Sequence, residues 1–515
     1  MSKGKPAPRR PTKGTEGENG AKRSAPSAPS SVARSAAPVW QARTGSGLHP
    51  DLLAYSETTK EDLPFVVHDL AGSSAHVLGL VKAGLLNKAE AKHLLAGLRG
   101  ILTAHEAGKF PLSVELEDIH MNVESRLTVE LGDVGRKLHS GRSRNDQVAT
   151  CIVLYARQNV ARLAQSLHAL AGALAEQAAA HAETPWVART HGQAAQPATF
   201  GWLLSAHAQR LQELAAKALE AFNRIGESPL GSGAVAGSTL PLDPAYTAGL
   251  MGLRPPRSAL LATGTRDVVL ESCLLASHAG TLLASLCQDL LDAFGVGSLR
   301  LPAGYTTGSS LMPQKRNPDA LELARGRGKA LAGPLAAVQG ILGGLGLGYM
   351  RDFQLTKPYL AAALGEACTT AELLAPLVDG MTYNAKAASV AADWSKPGIV
   401  ATDVAEALVK GGLPFRTAYS IVASAFALVE KGSTFQAALE AQKLPKGQLE
   451  AALGALQPDP ARRATLGGPA PEQVRAALAA FAKRQAAQST ALAGAQTAAE
   501  KPFLLLSRPI GDLLP

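Results

Sequence analysis

Gly308-Ser309-Ser310-Leu311-Met312-Pro313-Gln314-Lys315-Arg316-Asn317-Pro318-Asp319 is the stretch from which the rest of the chain can be read. It gathers a hydroxyl, an ammonium and a helix start into one loop. Gly304 and Gly308 let the backbone bend and approach a ligand closely, and Asn317 followed by Pro318 reads as an N-cap and first helical position. The Lys315 ammonium and the free N–H groups of such a helix start both favour a carboxylate nearby. By its residues alone, the same segment also fits an ordinary surface loop leading into a helix.

Outward from this loop the periodicity is helical. Phe200, Leu203, Leu204, Ala208, Leu211 and Leu214 keep the three- and four-residue steps of one face, with Gln209, Arg210 and Glu213 on others. His207 falls on that apolar face and reads as a satisfied core or interface histidine. Residues 266–295 and 319–342 behave similarly, and Pro197 and Pro318 read as helix starts. Aromatics make up only 4% of a chain rich in Ala, Leu and Gly, which favours helix over strand. These helices carry more apolar surface than one amphipathic stripe needs, so bundle packing within and between subunits is expected.

Four segments follow from the pattern. Residues 1–47 read as a disordered basic leader rich in Pro, Ser and Ala, 48–144 as an N-terminal helical domain, 145–384 as a central bundle of long helices, and 385–515 as a smaller C-terminal helical domain. Nine basic residues against Glu16 and Glu18 give the leader +7 of the net +9. The body is therefore close to neutral, which argues against nucleic-acid binding. The leader lacks an apolar core segment for secretion, and its prolines and lack of an amphipathic helix argue against a transit peptide. Cys151, Cys273, Cys287 and Cys368 are widely spaced and read as buried small hydrophobes in a reducing compartment. No apolar run is expected to span a bilayer without polar interruption. A cytoplasmic protein with no membrane contact is the expectation.

Three further blocks carry polar chemistry. Leu138-His139-Ser140-Gly141-Arg142-Ser143-Arg144-Asn145-Asp146-Gln147 precedes a long apolar helix. Its arginines and amide suit a dicarboxylate, and it fits equally well as a capping and salt-bridge cluster. Arg189-Thr190-His191-Gly192-Gln193-Ala194-Ala195-Gln196-Pro197 puts a histidine in a turn ahead of a helix, where imidazole can relay protons near neutral pH or simply be solvated. Tyr349-Met350-Arg351-Asp352-Phe353-Gln354-Leu355-Thr356-Lys357 offers a phenol, an amide and an ammonium, or a polar helix face.

Together these blocks resemble the fumarase/aspartase superfamily. The Gly-Ser-Ser-x-Met-Pro-x-Lys-x-Asn signature is matched from Gly308 to Asn317, and Gln314, the Gly141–Gln147 block and the Tyr349–Lys357 block are similar to its argininosuccinate lyase family. The resemblance covers roughly residues 48–422 and implies an all-α, three-domain helical fold with a long central bundle. It implies reversible β-elimination of argininosuccinate to L-arginine and fumarate, a carbon–nitrogen lyase reaction of arginine biosynthesis. By the same matches, Ser309, His191, Lys315 and Glu322 are expected to be catalytic, with Glu322 orienting His191. Substrate contacts are expected from Thr58, Ser143, Arg144, Asn145, Thr190, Asn317, Tyr349, Gln354 and Lys357. Either Ser309 or His191 fits as the proton acceptor.

The resemblance implies no metal or organic cofactor, a small-molecule substrate, and a homotetramer whose active sites draw segments from different subunits. Asp118-Ile119-His120 matches the family's acidic-His segment with a less defined role. Adenylosuccinate lyase, fumarase and a non-catalytic, crystallin-like structural homologue are the alternatives. Four positions depart from the pattern. Trp40-Gln41-Ala42-Arg43-Thr44 replaces Trp-Gly-Gly-Arg-Phe, Thr58 stands for a serine, Gly237-Ser238 for Gly-Asn, and Tyr419 for a common histidine.

Overall fold

The structure, a computed structural model, describes residues 47–384, 386, 390 and 393–514; residues 1–46 of the expected leader, Trp40–Thr44 among them, lie outside the described residues. The N-terminal part carries helices α1 (Val66–Lys82), α2 (Lys88–Glu106) and α3 (Ile119–Leu131). Asn87 and Glu90 close a reciprocal capping box at the start of α2, and Asp118 caps α3 through the Met121 N–H at 2.7 Å.

The body is then built on α4 (Arg144–Ala180), a hairpin of β1 (Pro185–Thr190) and β2 (Gln193–Thr199), α5 (Phe200–Arg224), α6 (Asp267–Gly295), α7 (Asp319–Ala330), α8 (Ala332–Leu342) and α9 (Lys357–Asp379). Helix α4 runs 37 residues, about 55 Å at 1.5 Å per residue. Ser143 and Asp146 form the capping box that starts it, and it packs against α5, α9 and α1. Leu163, Leu167, Leu170 and Leu174 along it are fully buried.

Helices α6 and α7 approach closely because both carry glycine at the crossing. A Cβ on Gly280 would sit 2.2 Å from the Gly328 carbonyl oxygen, and one on Gly328 2.6 Å from that of Gly280. By length and composition alone α6 and the span Arg351–Asp379 could cross a membrane, though Glu271, His278, Gln288 and Asp289 interrupt the apolar run of α6. Its apolar residues are used otherwise: Cys273, Leu283, Leu286 and Leu290 are fully buried against the neighbouring helices.

Beyond α9, helices α10 (Ala401–Lys410) and α11 (Phe415–Val429) and their neighbours build a second, smaller core around Val404, Leu408, Ala418, Val422 and Leu439, with Val187 of β1 packed into it. The span 385–515, expected as one unit, divides in its packing. Helix α12 (Pro471–Glu500) returns to lie on α4 and α5, and its Phe481 and Leu492 join the main core.

Three local expectations are corrected. Pro197 starts no helix. It pairs with Val187 inside the hairpin, and α5 begins at Phe200 with Thr199 as its cap. The turn between the strands is made by His191 and Gly192 at φ 52° and 75°, the left-handed pair that joins two-residue hairpins. Asn317 is not the N-cap, because it pairs with Thr307; Pro318 takes the cap position and α7 begins at Asp319. Residues 319–342 are two helices divided at Leu331, since Pro334 lacks an N–H and its ring crowds the carbonyl four residues back.

Candidate active site

The start of α4 opens on a cleft of about 940 Å³ whose walls come from three distant parts of the chain. Thr58, Arg144, Asn145, Tyr349, Gln354 and Lys357 all line it. These are six of the expected site residues, separated by as much as 299 positions in sequence and brought together by the packing of α9 and its leading turn on α4 and the N-terminal part.

Lys357 is the first residue of α9 and lies almost fully buried. Its ammonium is ion-paired with the Asp62 carboxylate, also buried, and reaches the Thr58 hydroxyl at 3.4 Å. Thr58 donates in turn to the other Asp62 oxygen at 2.8 Å. The Gln354 amide donates to the Ser56 carbonyl at 2.6 Å, fastening the 349–357 stretch to the same strip of chain. Asp62 was not visible as a site residue in the sequence. Its role depends on a partner 295 positions away, and only the spacing Thr58-x-x-x-Asp62 on one helical turn hints at it.

The opposite wall is a network of carboxylates and cations. Arg144 lies 3.5 Å from Asp118 and 3.6 Å from Glu124, and Glu124 lies 3.2 Å from the His139 ring. Burial pushes the Asp118 and Glu124 carboxyls up, but Arg144 beside both, His120 beside Asp118 and His139 beside Glu124 outweigh it and hold them below the usual range. Beneath this wall, Asp69 accepts from Gln147 at 2.8 Å and pairs with His120 at 2.8 Å. Against its burial, His120 and Arg142 hold it down to about 2. Asp146 takes the N–H groups of Gly231, Gly233 and Ser143, yet burial lifts its carboxyl to about 6.

Ser143 is occupied as the helix cap, its hydroxyl accepting from the Asn145 N–H at 3.2 Å, and it is not among the lining residues. The capping reading of this block therefore holds for Ser143 and Asp146, while Arg144 and Asn145 line the cleft. Asn145 faces the cleft, and its side-chain amide donates to the Ala234 carbonyl at 3.2 Å.

The remaining expected residues stand at the other end of the bundle. Thr190 and His191 form the exposed hairpin tip beyond the C-terminus of α4. Even fully extended, the chain from 181 to 190 recovers at most about 35 Å of the helix's length, so His191 cannot reach Asn145 within one chain. The Ser309 loop lies at that same end. Leu299, just past α6, pairs with Tyr383, whose ring stacks on Phe200 at the root of the hairpin at 4.1 Å. Lys315 and Glu322 are exposed, and Asn317 is half-buried. His191 and Glu322 do not meet within this chain. The Ser309 hydroxyl oxygen accepts from the N–H groups of Leu311 at 3.3 Å and Met312 at 3.0 Å, an arrangement that favours negative charge on that oxygen. Among the described residues no group of three or more His, Cys, Asp or Glu is placed to hold a metal ion.

A mainly helical body of this kind, with a cleft at the head of its longest helix, is the architecture of a lyase family. Residues 50–333 match the family described as Lyase, and residues 398–459 match the argininosuccinate lyase C-terminal family. The argininosuccinate lyase of Thermosynechococcus vestitus is 36% identical over 467 residues, covering 86% of this chain and 98% of its own. That of Hahella chejuensis is 38% identical over 427 residues, covering 80% and 89%. The chain belongs to the argininosuccinate lyase family. Among solved structures, EDDS lyase in complex with formate superposes with a TM-score of 0.77 at 26% identity, over 91% of this chain and 96% of that one. A fumarate lyase:delta crystallin from Brucella melitensis shares the fold, with a TM-score of 0.64 at 21% identity over 78% of this chain and 92% of that one.

Proposed function

We propose that this chain cleaves argininosuccinate reversibly to L-arginine and fumarate, and that it does so as a homotetramer in the reducing cytoplasm. One observation carries the reading. The cleft assembles Thr58, Asn145, Tyr349, Gln354 and Lys357, while the hairpin tip and the signature loop present Thr190, His191, Ser309 and Lys315 outward at the far end. Two separate half-sites at opposite ends of a rigid bundle suit an assembly in which one copy's cleft meets other copies' tips. Exposed Leu274, Leu323 and Leu373 on the bundle surface supply apolar area for such packing.

In that assembled site the hard step is removing a proton from the carbon next to a carboxylate, because the resulting aci-carboxylate concentrates negative charge. Ser309 takes this proton, its oxygen prepared by two backbone N–H donors. Lys315 and Asn317 stabilise the charged intermediate electrostatically. As the carbon–nitrogen bond breaks, the electron pair stays on the departing guanidinium nitrogen, and His191, oriented by Glu322, returns a proton to it. Thr58, Tyr349, Gln354 and Lys357 grip the arginine part, and Arg144 and Asn145 the succinyl part.

The test is fumarate release, followed by its ultraviolet absorbance, with argininosuccinate, adenylosuccinate and aspartate offered separately. Release from argininosuccinate alone is expected; release only from another substrate, or none from any, overturns the reading. Ser309→Ala should lose several orders of magnitude in turnover with substrate binding retained, and His191→Asn should lose less.

A further inference from the structure

Three carboxylates line the cleft, and two of them are committed. Asp118 caps α3 and faces Arg144, and Glu124 lies between His139 and Arg144. Glu117 differs. Its carboxylate, 12% exposed, has as its ionic partner the Arg351 guanidinium, at 3.0 Å, and that side chain is 59% exposed and free to swing into solvent. Glu117 is also held in a rare backbone conformation, φ 64° and ψ −46°. Two main-chain bonds fix it there: its N–H donates to Val114, and its carbonyl accepts the Thr58 N–H at 2.8 Å.

Thr58 thus touches Glu117 with its backbone and Lys357 with its hydroxyl. A carboxylate and an ammonium lie on either side of one residue, on the wall that also carries Tyr349 and Gln354. Lys357 is already paired with Asp62, so the group this wall leaves for a ligand is the Glu117 carboxylate, which suits the ammonium of an α-amino acid.

We propose that Glu117 is the residue that receives the α-ammonium of the substrate's arginine part, and that Arg351 is an internal cation which that ammonium displaces. This deepens, and rests on, the argininosuccinate reading. The bond to Arg351 demonstrates that the carboxylate is oriented to accept from a cationic N–H donor. The exposure of Arg351 favours the exchange, since its guanidinium regains water when it leaves while Glu117 keeps a cationic partner.

The experiment uses the intact chain in the addition direction, with arginine and fumarate varied separately. Glu117→Gln, which keeps shape and hydrogen bonding but removes charge, should raise KM for arginine about 10- to 100-fold. KM for fumarate and kcat should stay within a few-fold. Arg351→Gln should leave KM for arginine unchanged or lower it. On the parent protein, Nα-acetylarginine, which has no ammonium, should compete with arginine at least tenfold more weakly than unmodified arginine analogues do.

Equal effects of Glu117→Gln on both substrates, or a rise in arginine KM from Arg351→Gln as large as that from Glu117→Gln, would make the pair a structural clamp and overturn the proposal. Tight competition by Nα-acetylarginine overturns it even if Glu117→Gln does not fold. An inactive parent protein would instead sink the argininosuccinate reading itself.

Discussion

Replacing Asp62 by Asn isolates the most consequential buried charge beneath the cleft wall. The Lys357 and Asp62 side chains are 5% and 1% exposed, so the pair is almost wholly withdrawn from water, with Lys357 the member that reaches the cleft. Asn cannot neutralise the ammonium. Breaking a buried pair by removing one partner costs about 3–5 kcal/mol, which moves the folding equilibrium by roughly two to four orders of magnitude. The double variant Asp62→Leu/Lys357→Met removes both charges and fills similar volume, and such replacements are often neutral or stabilising. It leaves the Thr58 hydroxyl without its acceptor at 2.8 Å, a loss of about 1 kcal/mol. The double variant should therefore recover most of the stability lost by Asp62→Asn. Urea unfolding at fixed protein concentration, read by far-ultraviolet circular dichroism, measures both. Turnover should behave oppositely, staying lost in the double variant, because the proposed function places Lys357 on the substrate. A double variant as unstable as Asp62→Asn, or a single variant within 1 kcal/mol of the parent, refutes the reasoning.

Acid should destabilise the protein well above the carboxylate range. His68, buried and bonded to Gln158 at 2.8 Å, is pushed by desolvation down to about 4, so the unfolded chain takes up a proton below about 6.5 that the folded chain refuses. That stability is present above pH 6.5 and lost as pH falls toward 4. It amounts to about 3 kcal/mol at 1.36 kcal/mol per unit, and His68→Gln should flatten the pH dependence of urea midpoints in that window. Gly280→Ala should destabilise by at least about 1–3 kcal/mol, because its methyl would meet the Gly328 backbone rather than a movable side chain; an unchanged unfolding midpoint would contradict the close crossing. Asp69→Asn should lower stability most at neutral pH and least near pH 2, since the charge it removes, held by His120 and Arg142, is itself lost on acidification through that range.

Helical periodicity made the bundle legible, because long stretches such as Phe200–Leu214 bury one face and leave the repeat undisturbed. The hairpin was hidden for the opposite reason. Its strands are short, one contains Pro197, and its defining signal, His191-Gly192 in left-handed geometry, reads in sequence as a plain turn. The contiguous motifs named Asn145, Tyr349, Gln354 and Lys357, and these do share a cleft. What the motifs did not convey was distance. Nothing in the Thr190–Pro197 or Gly308–Asn317 residues reveals that a 37-residue helix separates them from Asn145. Asp62 and Glu117 were missed because their meaning lies in partners 295 and 234 positions away.

The anchoring of Asp146 carries a consequence for the amide that faces the cleft. One oxygen of that carboxylate holds the N–H groups of Gly231 and Gly233, and the next residue along, Ala234, holds the side chain of Asn145. With the carboxyl raised to about 6, mild acidification places a proton on this knot and weakens its grip on the loop. Asn145 hangs from that same loop, so a side chain lining the cleft owes its placement to a carboxyl that is not itself part of the lining.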